Sequence, residues 1–491
     1  MTLSVLRADL RRDERERRDV RIAVRAARLA AIALLGVGCG GGETTHSPDA
    51  GDADADTDVD GDAGGEDAGP DAGAPIECGA DCLYVRAGAA GDGSNWDAAF
   101  GALPDALARG KIYFVAAGTY PEYVFDDPED GAIIRVVRAT ASDHGTETGW
   151  DPSYATGEAL FGPLSFVAPD VSFDGRGATR IQGTFQSTVV SIDADRVTLR
   201  GCDVDGAFAT DAGGLHVDGA CTGIGVSGDD VVVADDDVHD AADDGVVVSG
   251  SSRFSFVGNR VHALHGCGTD GGCGPCYNGH SDGLEIYAVK DSEFVGNVAW
   301  DIESTSTFFF GNWADELGDG EADYCSNVVV ANNLLYNPRT GFVMYVEDAA
   351  GVRLYDNVIW GLHQGRYGGL SLGTHVRDLE MWNNVILSIN FEHVGGVYDA
   401  AEHRGDYNLV GVDIGQYPLG AHDLVAGDAG FAGIPDMDGA EVSDPTPEDL
   451  TPAAGSPLFD AGYGGDATIL IPPTDFFGRP RDADPNIGAI E

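Results

Sequence analysis

Between Val231 and Trp300, short apolar runs alternate with polar turns, and one phrase occurs twice. Arg253 to His262 reads RFSFVGNRVH, and Ser292 to Trp300 reads SEFVGNVAW. Each follows a second shared phrase: Asp-Asp-Gly-Val-Val-Val at Asp243 to Val248, and Ser-Asp-Gly-Leu-Glu-Ile at Ser281 to Ile286. The unit is Asp-Gly, a short apolar strand, a turn, a second apolar strand, then Asn-x-Val. Alignment on the residue before the "x-Val" pair extends it to Cys202, Asp236, Asn259, Asn297, Asn333, Asn357, Asn384 and Asn408, spaced by 34, 23, 38, 36, 24, 27 and 24 residues. Such self-similarity is the signature of a solenoid. About two dozen residues per coil is too few for a strand–helix–strand unit, and the apolar runs are β-branched and alternate with polar residues. The pattern predicts a coil of parallel strands in which each turn adds a rung of roughly 4.8 Å and alternate side chains enter a narrow core. The recurring Asn predicts an inward ladder at a sharp turn, each amide bonding the backbone and the Asn above it.

With these elements the chain resembles the right-handed parallel β-helix proteins of the pectate-lyase-like superfamily, over roughly residues 83–430. The resemblance implies an all-β solenoid. It implies no single activity, because that superfamily holds lyases, hydrolases, epimerases and non-enzymes. The expected organisation is a signal at 1–39, a linker at 40–77, the β-helix at 78–430 and a C-terminal capping module at 431–491. Ser94-Asn95-Trp96-Asp97 reads as a helix start, with Ala99, Phe100, Leu103, Ala106 and Leu107 on one face and Gly110 as the stop. The order of this helix, the strand Lys111–Val115 and Gly118-Thr119-Tyr120 resembles the N-terminal end of many β-helix proteins, where a helix covers the open first rung. The phrases around Ser456–Gly462, Thr474–Arg479 and Asn486–Glu491 resemble the C-terminal module of certain secreted bacterial β-helix proteins.

The N-terminus reads as an export signal. An Arg-rich region from Arg7 to Arg28 precedes the apolar run Leu29–Val37, which is too short to span a bilayer. Leu34-Leu35-Gly36-Val37-Gly38-Cys39 resembles the bacterial lipoprotein signal, which implies lipid on Cys39, and departs from it at Gly36. The expected location is the cell surface or outer membrane, or otherwise secretion, with membrane contact only through the lipid. Residues 40–77 are rich in Asp, Ala and Gly and lack aromatics, so no core is expected there. Asp56-x-Asp58-x-Asp60-Gly61 has calcium-loop spacing, but in so biased a tract a solvated spacer is the favoured reading.

A formal net charge of −54 argues against nucleic acid as a partner, since phosphate contacts need Lys and Arg and the only lysines are Lys111 and Lys290. A polyanion would be repelled unless cations bridge it. Nine cysteines in an exported chain leave eight once Cys39 carries lipid. The expected bridges are Cys78 with Cys82, Cys202 with Cys221, and Cys325 with one of Cys267, Cys273 and Cys276. The spacing Cys267-x5-Cys273-x2-Cys276-x3-His280 also suits zinc or iron–sulfur, although an oxidising compartment favours disulfides.

The candidate chemistry lies among the longest intervals of the repeat. Asp244 is expected level with Asp282, Val247 with Glu285, and Ser249 with Tyr287, the last two pairs facing outward. Asp243, Asp244, His280, Asp282 and Glu285 form a cluster of acids near a His, with His239 as a further acid or base. Asp before Gly is also ordinary turn chemistry. Three places beyond the ladder, Asp205, His239, His262, Trp300, Tyr336 and Trp360 are expected to stack in register. With Tyr287, the His262, Trp300, Tyr336 and Trp360 rings would bind sugar; the bland alternative is packing beneath loops.

The preferred expectation is a polysaccharide lyase or epimerase on uronate-containing glycans. His280, His239 or Tyr287 would serve as base or acid, and Asp244, Asp282 and Glu285, with Asp243 beside them, would hold Ca²⁺. The alternatives are an inverting glycoside hydrolase using Asp243 or Asp244 with Asp282, and a non-catalytic, monomeric glycan-binding adhesin. Asn278-Gly-His280-Ser-Asp282-Gly283 is similar to His-x-Asp-Gly phrases of β-helix proteins that act on polysaccharides, whereas the Gly-His-Gly and Arg-Ile-Lys phrases of the polygalacturonase family are absent.

Overall fold

The computed structural model describes residue 76 and residues 78–491, apart from 80, 211–215, 266–280, 303–304, 312–323, 337–341, 348, 361–368, 374–375, 387–388, 391–402, 412–417, 427, 434–445, 467–468 and 470. Cys78–Glu491 forms one compact unit. The signal and linker expected before it, the lipidation site Cys39, and Cys267, Cys273, Cys276 and His280 lie outside the described residues.

Short alternating strands stack in parallel from rung to rung. A ten-stranded sheet runs from Tyr123–Phe125 to Ile389–Asn390, and a 22-stranded sheet forms the rest of the wall. The larger sheet bends at a corner that Val171–Gln182 and Val197–Asp205 run through, with a register shift between Arg200 and Cys202. Beyond that corner each coil breaks into two strands, such as Ser255–Val257 and Arg260–His262. Alternation decides what enters: Val246, Val248, Leu284 and Ile286 are fully buried in one continuous core.

The ladder forms as the spacing predicts. The Asn297 side-chain oxygen accepts the Asn259 backbone N–H at 2.9 Å, and Asn333, Asn357, Asn384 and Asn408 repeat the bond at 2.9, 3.0, 3.1 and 3.0 Å. Each amide nitrogen from Asn259 to Asn384 also donates to the next Asn and to a backbone carbonyl, as Asn297 does to Asn333 and Phe256. These Asn residues are fully buried yet satisfied, which is what makes a polar column tolerable in a core. The ladder is longer than the repeat suggests: Thr179 pairs with Cys202 before it, and Asp423 accepts the Asn408 N–H after it. The preceding residue adopts positive φ in every coil, at Gly201, Asp235, Gly258, Gly296, Asn332, Asp356, Asn383 and Tyr407. Gly, Asn and Asp tolerate that conformation; Tyr407 is the exception.

The N-terminal helix is not formed, and no α-helix occurs among the described residues. The backbone bonds sideways instead: Phe100 N–H donates to Tyr84 O and Arg86 N–H to Phe100 O, both at 2.8 Å. Pro104 lacks the N–H a helix would need there. The apolar residues still cover the first rung, with Trp96, Ala99, Leu103 and Leu107 buried and Ala106 exposed.

The C-terminal segment lies along the flank rather than on the end. Leu450, Leu458, Ile487, Ala489 and Ile490 pack on the outward side chains Val298, Leu334, Val358, Val385 and Leu409. Gly488 approaches so closely that a Cβ there would stand 3.0 Å from Val385.

Of the expected disulfides, Cys78–Cys82 is present. Cys202 and Cys325 are buried free thiols, so the Cys202–Cys221 and Cys325 bridges are corrected. Cys202 belongs to the ladder column and points into the core, where a bridge to Cys221 does not form; Cys221 is disulfide-bonded elsewhere.

Candidate functional site

The predicted register holds. Val247 pairs with Glu285 and Ser249 with Tyr287, and the Asp282 N–H donates to the Asp244 carboxylate at 2.9 Å. The acids nevertheless divide between two faces. Asp282 shares strand parity with the core residues Leu284 and Ile286, whereas Glu285 and Tyr287 point the other way. Asp244 and Asp282 therefore form a second inward ladder, continued by the Thr305 hydroxyl, which donates to Asp282 at 3.0 Å. Burial, and then the charges of Asp243, Glu285 and Asp282, hold the Asp244 carboxyl well above the usual range. The expected calcium set of Asp244, Asp282 and Glu285 does not converge on one ion: Asp244 and Asp282 face inward, each with one carboxylate oxygen accepting a hydrogen bond, and Glu285 faces outward.

Outward on the ten-stranded sheet, the Tyr287 hydroxyl donates to the Glu285 carboxylate. Both side chains are buried despite their outward orientation. Glu285 is level with Phe309 on the next rung, and Phe309 with Tyr345 on the one after. The Phe309 and Tyr345 rings stack at 5.3 Å, and Tyr287 meets Phe309 edge-on at 5.8 Å. Gly311 makes room for both: a Cβ there would fall 2.5 Å from Phe309 and 2.8 Å from Tyr287. Phe309 and Tyr345 escaped the sequence reading because Phe308-Phe309-Phe310 has no polar alternation to mark the outward ring. Asp243 is half-buried at the turn ahead of its strand.

The predicted row on the other sheet also forms. Asp205 pairs with His239, His239 with His262, and Tyr336 with Trp360. His262 stacks on Trp300 at 4.2 Å, and Trp300 on Tyr336 at 6.1 Å. As a sugar platform the row is corrected. Trp300, Tyr336 and Trp360 are buried beneath the C-terminal segment, with Phe431 5.6 Å from the Trp360 ring. Only His239 and His262 keep a small exposed edge, and both are in hydrogen bonds to carboxylates. Burial alone would lower His239, but its bonds to Asp203 and Asp240 override this and push it up to about 10. His239 therefore stands on a different sheet from Glu285, and the structure does not bring it to the acids it was grouped with.

Residues 180–386 match the family model described as the right-handed β-helix region. Together with the parallel sheets and the ladder, this makes the chain a right-handed parallel β-helix. Among solved structures it is similar to the Dettilon tailspike protein, at 14% identity and a TM-score of 0.40, over 65% of this chain and 62% of that one. The chain thus spans less than two thirds of the tailspike's length. It is also similar to a PL6 alginate lyase in complex with a trisaccharide, at 12% identity and a TM-score of 0.38, over 71% and 85% of the two chains. A third is the A-module of a mannuronan C-5 epimerase of Azotobacter vinelandii, at 13% identity and a TM-score of 0.34, over 65% and 90%. No curated protein matches the chain. No helix among the described residues is long and apolar enough to cross a membrane.

Proposed function

We propose that the protein is an exported carbohydrate-active β-helix that acts on uronate-containing polysaccharide as a lyase or C5 epimerase. The observation that carries this reading is the hydrogen bond from Tyr287 to Glu285 on the outward face of the ten-stranded sheet. Removing the proton beside a uronate carboxylate requires a base and an acid at one place. Glu285 takes the phenolic proton while Tyr287 takes the one from C5; in a lyase Tyr287 then gives that proton to the departing O4 as the C4–O4 bond breaks, and in an epimerase a second acid reprotonates C5 from the opposite face. The half-buried Tyr345 ring, stacked on the buried Phe309, offers a face for sugar C–H groups alongside. His280, just ahead of the same strand, is the expected additional acid or base.

The hydrolase is less well supported. Of its acids, Asp244 and Asp282 turn into the core, where they accept the Asp282 N–H and the Thr305 hydroxyl, and Asp243 stands at the turn ahead of the strand, so no two of them face a substrate across the outer surface. The adhesin reading rested on the aromatic row, which is covered. On so acidic a chain a uronate polymer needs a counter-cation, and Ca²⁺ arriving with the polymer would serve without a cage of Asp244, Asp282 and Glu285. Export follows from residues 1–39, with lipid on Cys39 as the sole membrane contact of a monomer.

The test is a screen against polyuronates and neutral glycans, with calcium and with chelator, following unsaturated products and reducing ends. Unsaturated or epimerised products, lowered at least ~100-fold by Tyr287→Phe at unchanged fold, are expected. Reducing ends without unsaturation would move the assignment to a hydrolase. Binding without turnover would move it to an adhesin.

A further inference from the structure

On the larger sheet, Asp205, His239 and Asp240 each present a ligand atom, and these atoms lie within 4.8 Å of one another. We propose that they form a binding site for one divalent transition-metal ion of the zinc class, with His265 as a further ligand. Asp205 and His239 end level strands on adjacent coils, and Asp240 follows His239 directly. His265 belongs to the next coil and reaches the Asp240 carboxylate at 2.9 Å. The site therefore spans three successive coils, and an ion there would clamp them.

The surroundings are already arranged for ligation. The Asp240 and Asp203 carboxylates hold the two His239 ring nitrogens at 2.8 Å each, so an ion would displace the proton shared by Nδ1 and Asp240 and take both as ligands, while the Nε2–H keeps its bond to Asp203 and orients the ring. Arg180 bonds Asp203 at 2.9 Å and stands 3.6 Å from the Asp205 carboxylate, which also accepts the Ala207 N–H at 2.6 Å, so Asp205 is held in place and would meet the ion through its remaining lone pairs. Phe208 stacks on the His265 ring at 4.4 Å and fixes its plane. Asp205 and His239 are largely covered, while Asp240 and His265 are 41% and 31% exposed, which leaves a way in. Mixed imidazole and carboxylate donors suit zinc-like ions, whereas calcium and magnesium prefer oxygen alone.

The test uses the full chain, dialysed against Zn²⁺ and assayed for bound metal. Cysteines also take zinc, so His239→Asn, Asp240→Asn and a Cys273→Ser/Cys276→Ser variant are compared. The first two should each lose one zinc per chain, with affinity at least ~30-fold weaker, and the cysteine variant should keep it. Co²⁺ bound here should show no thiolate charge-transfer band. If His239→Asn fails to fold, Asp205→Asn takes its place. Equal zinc content in the wild type, Asp240→Asn and Asp205→Asn, or loss only in the cysteine variant, would overturn the proposal.

Discussion

Asp236 accepts the Cys202 backbone N–H at 2.7 Å, in the place that Asn takes in the next six coils. Its second carboxylate oxygen has no partner, whereas Asn259 at the same place donates its amide to Val233 O. Burial holds the Asp236 carboxyl well above the usual range. Asp236→Asn should therefore stabilise the protein at neutral pH by about 1 kcal/mol. The gain should shrink in acid, where Asp236 is protonated, and melting curves at two pH values would show this.

In mid-ladder the sign reverses. Asn333 Oδ1 accepts both the backbone and the side-chain N–H of Asn297. Asn333→Ala leaves those donors buried without a partner, at roughly 1–3 kcal/mol each. Chemical denaturation should show a loss of that size, and an unchanged midpoint would contradict the ladder's role.

Along the flank, Ile487 and Leu458 cover Val298, Leu334, Val358, Val385 and Leu409. Ile487→Asp places a charge in that seam and should release the segment. Increased dye binding and faster proteolysis near the C-terminus are expected, with the strand signal in circular dichroism retained.

Stability should fall between about pH 4 and pH 7. Burial, relieved only in part by Arg481, pushes Asp356 up to about 7 from its ordinary 3.8. A raised carboxyl is neutral in the fold, so its contribution is full below the unfolded value and is lost as pH rises toward the folded one. Asp170, held down by Arg196, runs the other way and loses its contribution in acid. The melting temperature should peak near pH 4–5, and Asp356→Asn should flatten the decline above it.

The ladder was legible because a polar residue at a fixed offset stands out among β-branched rungs. The levels of Glu285 with Val247 and of Tyr287 with Ser249 followed from the same alignment. The side each acid faces did not follow: Asp244 and Asp282 precede glycines at a turn, and only strand parity with Leu284 sends them inward. The covering of the aromatic row depended on residues of the C-terminal segment, from Phe431 onward, at least about 70 positions away. A signal was present in the change of outward residues from Asp203, Asp237 and Arg260 to Val298, Leu334 and Val358. The missing helix turned on Pro104 and on strand partners for Phe100.

The most direct measurement is solvent deuterium incorporation at C5 of a uronate polymer, followed by NMR, because lyase and epimerase chemistry share that proton transfer. Wild type should exchange or eliminate at C5, and Tyr287→Phe and Glu285→Gln should each lower the rate at least ~100-fold while keeping the fold. Exchange that survives both substitutions, or a wild-type enzyme that leaves C5 untouched while cleaving the chain, would contradict the assignment of Glu285 and Tyr287.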